Sequence, residues 1–363
     1  MHGYAFQKSL EKYYGIKSVV IDYFPKAVEG DNLKYPIFNN DSARKFPYWV
    51  AAKLNWTLGF LANIKRYNKF ERFIKQYIEK TEVSFSYQQL KNTFTIEGGK
   101  FPIYVCESDV IWKVMSEETI DDNFFLNFPA AVGSRKVAYA PSLSTKELSG
   151  HLLERFKGLV EGVDAISARE KKGAEYLSRI TGKEVPWVLD PTLLLNAMDY
   201  EALLKEPSEK NYLLVYTVTE NDIRMVKEAV RYGKEHNLKV IEISNYAINR
   251  FIVNHHVEVG VGIEEWLGYF RNADVVVTNS FHGFCFSVIF KKDVYLFQRN
   301  NEDYKMQNIA ESLGMKDRLI GFEDKKIPSH VEIIDWEMVD EKLDVMRTQS
   351  HQYIKENIIK YCN

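Results

Sequence analysis

The stretch "ADVVVTNSFHGFCFSVIFKKDVYLF", residues 273–297, does most to constrain the fold. Val275, Val276 and Val277 are apolar in succession rather than alternating, so they describe a strand covered on both faces. Asn279 and Ser280 interrupt it, a helix-length apolar run follows, and "VYLF" makes a second strand. Two buried strands joined through a helix are parallel neighbours in one sheet, and such a sheet needs helices on both faces.

The same alternation runs through the rest of the chain. "YAFQKSLEKYY" reads as a helix stopped by Gly15, and "KSVVIDY" as a strand. A parallel domain that begins on a helix lacks its first strand, so either the start is truncated or that strand is supplied differently. Residues 24–100 are irregular and partly helical, with "LANIKRYNKFERFIKQYIEK" the clearest helix. Strands are expected at "FPIYVCESDVIW", "SRKVAYAPS", "VDAIS" and "VPWVLD", with helices at "TKELSGHLLERFKGLV" and "AREKKGAEYLSRI", the latter closed by Gly182. The pattern pauses after Asp190-Pro191 and restarts at "NYLLVYTV", continuing through "ENDIRMVKEAVRYGKEH", "LKVIEIS" and "IEEWLGYFRN". The expected fold is α/β, with an N-terminal α/β domain over 1–190 and a linker over 191–210. A Rossmann-like domain over 211–330 and a final helix within 331–363, packed back on the first domain, complete it. Two such halves predict a ligand cleft between them.

Charge and composition exclude several classes. Lys and Arg number 48 against 50 Asp and Glu, which leaves no basic footprint for nucleic acid. Cys106, Cys285 and Cys362 are far apart, as suits a reducing compartment, and no apolar run is long enough to span a bilayer. Met1-His2-Gly3-Tyr4 shows no signal-peptide pattern, so a cytoplasmic location with at most peripheral membrane contact is expected. Aromatic residues reach 14% and are dense in the first third, as sugar platforms or as core filling. His255 and His256 are adjacent and point oppositely on an extended segment, and no metal-ligand spacing occurs. Neither a GxxxxGK[ST] loop nor a GxGxxG fingerprint is present.

The break after Val277 is the first candidate site, because open α/β sheets place ligands beyond the carboxyl ends of their strands. Ser280 can cap the following helix, Gly283 permits close backbone approach, and His282 sits where helix N–H groups favour an anion. His282 is the candidate acid/base, and Asn279 and Ser280 are candidate phosphate donors. The same residues also fit a capped turn whose histidine bonds only to backbone. In "SARE" the spacing of Ser167 and Glu170 predicts a capping box. Arg169 opposes the helix dipole there and is the candidate anion clamp, with a solvent-facing arginine as the alternative. Ser108 and Asp109 end another strand, and Asp109 is a candidate partner for an acceptor hydroxyl. Asp190 is expected to serve a turn.

Four of these segments resemble the polysaccharide pyruvyl transferase family. "DVVVTNSFHGFCFSVIFKKDVYLF" resembles its x-His-Gly motif after an apolar strand. "VDAISAREKKGAEYLSRITGKEVPWVLDPTLLL" is similar to its Ser-x-Arg-Glu helix followed by Asp-Pro-Thr, and "HGYAFQKSLEKYYG" to its first helix. "ESDVIW" looks like a variant of its Gly-Ser-Asp-Gln-x-Trp loop, with Glu107 and Val110 replacing Gly and Gln. The resemblance implies a glycosyltransferase-B-like architecture and transfer of pyruvate from phosphoenolpyruvate to two hydroxyls of a sugar. The sugar belongs to a surface polysaccharide or a precursor, possibly lipid-linked, and no metal or further cofactor is implied. A nucleotide-sugar glycosyltransferase and a non-catalytic glycan- or phosphate-binding protein are the alternatives on this scaffold.

Overall fold

The computed structural model describes residues 1–36, 48–143, 147–218, 221–300, 304–324 and 326–362. The chain divides into two compact units. Unit 1 comprises Met1–Gly30, Tyr77–Leu195 and Asp340–Asn363, and unit 2 comprises Asp31–Gln76 and Asn196–Val339. The sequence pattern places residues 31–76 in the N-terminal half, whereas they pack with the C-terminal sheet.

Unit 1 holds a three-stranded parallel sheet in the order β1 (Ile103–Glu107), β2 (Arg135–Tyr139), β3 (Ala165–Ile166). "KSVVIDY" and "VPWVLD" contribute only single parallel bridges, Val20 to Lys80, Tyr23 to Phe85 and Ala168 to Trp187. Helices His2–Tyr14 and Lys171–Thr181 end at Gly15 and Gly182, both left-handed with φ of 66° and 67°. Only glycine takes that conformation without a Cβ penalty. The aromatic residues here fill the core: Trp112 stacks on Phe125 at 4.9 Å, and Phe156 meets both edge-on. From the last helix, Trp336–Asn357, the Tyr353 hydroxyl donates to the Ala138 carbonyl at 3.0 Å, and Arg347 Nε donates to the Leu193 carbonyl at 2.8 Å.

Unit 2 holds six parallel strands: β4 (Tyr212–Tyr216), β5 (Lys239–Ile243), β6 (His256–Glu258), β7 (Val275–Thr278), β8 (Asp293–Phe297) and β9 (Leu319–Ile320). Their spatial order is β6-β5-β4-β7-β8-β9. All four residues of β7 are buried, as its run of valines requires. This order reverses direction between β4 and β7, which creates a crevice beyond their carboxyl ends.

The stretch 191–210 is packed rather than extended between domains. Leu193, Leu194 and Leu195 are fully buried in unit 1, and Tyr200 is buried in unit 2 against Phe286 at 5.0 Å. Its apolar side chains require this, since each gains transfer free energy only when covered. Among the described residues no helix is long and apolar enough to cross a membrane, and no group of His, Cys, Asp and Glu has metal-binding geometry.

Candidate functional site

Asn279, Ser280, His282 and Gly283 lie together at the crevice of unit 2, where β4 and β7 end side by side with Tyr216 opposite Thr278. The Thr278 hydroxyl donates to the Tyr216 carbonyl at 2.8 Å and accepts the Ser280 N–H at 3.0 Å. Ser280 Oγ accepts the Gly283 N–H at 3.2 Å, the helix cap its position predicts. Asn279 is fully buried; its Oδ1 accepts the Val218 N–H at 3.1 Å, tying β7 to the segment after β4. Its Nδ2 is also buried and has no hydrogen-bond partner among the described residues. An amide donor left so costs free energy unless a ligand or water accepts from it.

Gly283 serves contact within the protein. A Cβ there would lie 2.4 Å from Thr278 Oγ1 and 3.1 Å from Tyr216 Cδ1, so the glycine lets helix Phe281–Ile289 start against the strand ends. His282 is the second residue of that helix, half-buried, with its ring edge-on to Phe281 at 5.5 Å and its Nε2 buried. It stands within the first turn, where the helix dipole is positive.

Two neighbours escape sequence reasoning. Tyr216 ends β4, and burial, partly offset by the Arg66 charge, raises its hydroxyl to about 12. Arg66 arrives from helix Phe60–Tyr77, remote in sequence, and Nη1 donates to Asn245 Oδ1. Burial lowers the Arg66 pKa. Beneath them Glu242, fully buried on β5, accepts from Asn249 Nδ2 at 2.8 Å and pairs with His255 Nε2 at 2.8 Å. His256 turns the other way and pairs with Glu258 at 2.7 Å, as adjacent residues on an extended segment must.

In unit 1, Ser108, Asp109 and Arg169 lie together at the carboxyl edge of the sheet. Ser108 and Asp109 both have left-handed backbone, with φ of 40° and 56°. The turn is held by Ser108 N–H on the Tyr139 carbonyl at 2.8 Å and Ser142 N–H on the Asp109 carbonyl at 2.7 Å. Non-glycine residues in this region carry strain that surrounding structure must hold. Ser108 Oγ donates to Asp190 Oδ2 at 2.8 Å.

Arg169 is neither a free clamp nor solvent-facing. Its side chain is 2% exposed; Nη1 bonds to Asp190 Oδ2 at 2.9 Å and Nε lies 3.5 Å from Glu170 Oε1. Burial disfavours its charge, but Asp190 and Glu170 outweigh burial and raise its pKa. The predicted capping box is also absent. The helix starts at Lys171 with Glu170 as its cap residue, Ser167 Oγ donates to the Ala138 carbonyl at 3.0 Å, and Glu170 Oε1 accepts from Ser142 Oγ at 2.5 Å. Both side chains are taken by long-range partners on and after β2, which no local spacing reveals. Asp190 caps the turn at Thr192, accepting its N–H at 3.0 Å, and is at the same time the partner of Arg169.

His2 joins this cluster, with Nδ1 3.0 Å from Glu107 Oε1 and Nε2 3.5 Å from Asp109 Oδ2. The His2 hydrogen bond, chiefly, holds the Asp109 carboxyl below its ordinary range. Glu107, Asp109, Glu170 and Asp190 thus gather around the cations Arg169, His2 and the Met1 ammonium, and Oε2 of both Glu107 and Glu170 is buried without a partner among the described residues. Such an edge suits hydroxyl donors, whereas the crevice of unit 2 suits an anion.

The family model of polysaccharide pyruvyl transferase matches residues 2–301. No curated protein matches the chain in sequence. Among solved structures it is similar to the UDP-N-acetylglucosamine 2-epimerase of Rickettsia bellii, at 12% identity and TM-score 0.41 over 98% of this chain and 95% of that one. The UDP-GlcNAc 2-epimerase of Methanocaldococcus jannaschii gives 12% identity and TM-score 0.44 over 94% and 88%. The wall teichoic acid polymerase TagF gives 10% and 0.35 over 83% and 81%. Since the family model covers most of its length and includes both clusters, the chain belongs to the polysaccharide pyruvyl transferase family.

Proposed function

We propose that this protein transfers pyruvate from phosphoenolpyruvate to two hydroxyls of one sugar, giving a cyclic ketal and inorganic phosphate. The observation that carries this reading is the crevice beyond β4 and β7. There a capped helix start, the Asn279 Nδ2 donor that has no partner among the described residues, and His282 converge at one edge.

The chemistry divides into proton supply and charge holding. The methylene carbon of the enol phosphate gains a proton, and the first sugar oxygen bonds to the adjacent carbon as that centre becomes oxocarbenium-like. The second sugar oxygen then bonds to the same carbon as its bond to the phosphate oxygen breaks. Of the two hydroxyl protons, one ends on the new methyl group and one leaves with phosphate. His282 is the acid/base for this traffic, since imidazole can give and take a proton near neutrality. Asn279 and the helix N–H groups hold the phosphate, and Arg66, beside Tyr216, supplies the cation that Arg169 cannot. Asp109, half-exposed and kept ionised, is the acceptor-hydroxyl partner, and Arg169 positions Ser108 and Asp190 next to it. The enzyme works in the cytoplasm, and it needs no metal or further cofactor beyond its donor.

The test is calorimetric titration with phosphoenolpyruvate, UDP and CMP in parallel, on the wild type and Arg66→Gln. Saturable phosphoenolpyruvate binding, weakened in Arg66→Gln and with both nucleotides silent, supports the reading. Binding of a nucleotide alone moves it to glycosyl transfer.

A further inference from the structure

Helix Tyr48–Leu58, "YWVAAKLNWTL", is apolar almost all round, with Lys53 its one charged residue. A helix of that composition belongs in an interior. Here one side is covered: Asn55 Nδ2 donates to the Asn245 carbonyl, Asn55 Oδ1 accepts the Ile248 N–H at 3.4 Å, and a Cβ on Gly59 would lie 3.1 Å from Val259. The other side leaves Trp49, Val50, Leu54 and Leu58 exposed, and Leu61 beyond the break at Gly59 is 72% exposed. The short helix Asn249–Ile252, next to the loop that Asn55 holds, adds Phe251, also 72% exposed, and Ile252. Exposed apolar side chains grouped on one face mark an interaction surface.

Charge identifies the occupant. Apart from Arg66 in the crevice, residues 48–76 carry five basic side chains, Lys53, Lys65, Lys69, Arg72 and Lys75, against the single acid Glu71, in a chain of formal net charge −2; Lys69 and Arg72 pair with Glu265 and Glu264, and Lys53, Lys65 and Lys75 remain for the surface. In helix Phe60–Tyr77 the buried side holds Asn63 and Phe73, and Lys69 donates to the Gly260 carbonyl at 2.7 Å. Of its exposed residues, Leu61, Lys65, Asn68, Arg72 and Lys75 recur at spacings of three and four as one stripe, with Phe70, Glu71 and Gln76 exposed beside it. Lys53 Nζ sits over the Trp49 ring at 4.6 Å, so a cation and an indole share the apolar face. Exposed tryptophan and leucine bordered by lysine and arginine match the boundary between lipid tails and anionic headgroups.

We propose that this helical pair, together with Phe251 and Ile252, docks unit 2 on an anionic phospholipid surface. The inference goes beyond the transfer reaction and stands whichever donor unit 2 takes, because none of its evidence lies in the crevice. It is tested by sedimentation of the full chain with vesicles of phosphatidylcholine alone and of phosphatidylcholine mixed with phosphatidylglycerol. The expected result is binding to the mixed vesicles only, weakened by salt. Leu54→Glu with Leu58→Glu should abolish it, and Lys65→Glu with Lys75→Glu should weaken it roughly 10-fold or more. Both pairs change exposed residues, and unchanged melting temperatures show that the fold survives. Absence of binding to either vesicle, or binding that neither variant alters, overturns the proposal. So does a dimer in light scattering that the leucine variant dissolves while vesicle binding is absent, since a second copy is then the occupant.

Discussion

Arg169 and Asp190 form an ion pair of 2.9 Å in which both side chains are shut away from water, 2% and 0% exposed. Burying either charge alone is costly, so each makes the other tolerable. The pair joins the segment after β3 to the turn at Pro191–Leu194, and Ser108 at the end of β1 shares the same carboxylate oxygen. Asp190→Ala should destabilise the protein by about 3–5 kcal/mol, the cost of breaking a buried pair from one side. Urea denaturation measures it, and a loss below about 1 kcal/mol, the scale of an exposed pair, would contradict this account.

The start of helix Phe281–Ile289 depends on glycine. Gly283→Ala places a methyl group 2.4 Å from Thr278 Oγ1, so the helix must shift or the strand end must open. Overpacking of this kind costs about 1–3 kcal/mol. Thr278→Ala removes the clashing oxygen, and the double variant should recover part of the loss. A double-mutant cycle by thermal melting reads the coupling, and strict additivity would show that the contact does not matter.

His282→Gln keeps a polar side chain but removes the group that titrates. Phosphate release should fall about 10²–10⁴-fold, the usual range for lost acid–base catalysis. Phosphoenolpyruvate affinity should change little, as Asn279 and the helix N–H groups remain. Unchanged turnover would exclude the role.

The His2 cluster predicts a pH dependence of stability. Burial pushes His2 down, but Glu107 and hydrogen bonds to Asp109 and Glu107 outweigh it, raising the pKa from 6.5 to about 10. A raised folded-state value means that His2 contributes its full stability below 6.5 and loses it as pH climbs towards 10. Melting temperature should therefore decline across that window in the wild type and decline less in His2→Gln. Parallel profiles for the two proteins would contradict the assignment.

Local sequence made the helix at Phe281 legible: valines covered on both faces, a serine cap and a glycine at the third helical position leave few conformations. The same held for the helices closed by Gly15 and Gly182 and for the opposite orientations of His255 and His256. Around Arg169 local pattern misled. Ser167 and Glu170 have capping-box spacing, yet in the structure they bond to Ala138 and Ser142, more than twenty-five residues upstream.

The sequence by itself determined the α/β class, most helices and strands, and the grouping of Asn279, Ser280, His282 and Gly283, because these follow from periodicity and short-range backbone sterics. Tertiary structure alone decided that residues 31–76 belong with the second sheet, that Arg66 comes beside Tyr216, and that Arg169 spends its charge on Asp190. Those outcomes depend on which distant groups can share buried space, and the free energy of pairing or leaving unpaired a buried charge has no signature in local spacing.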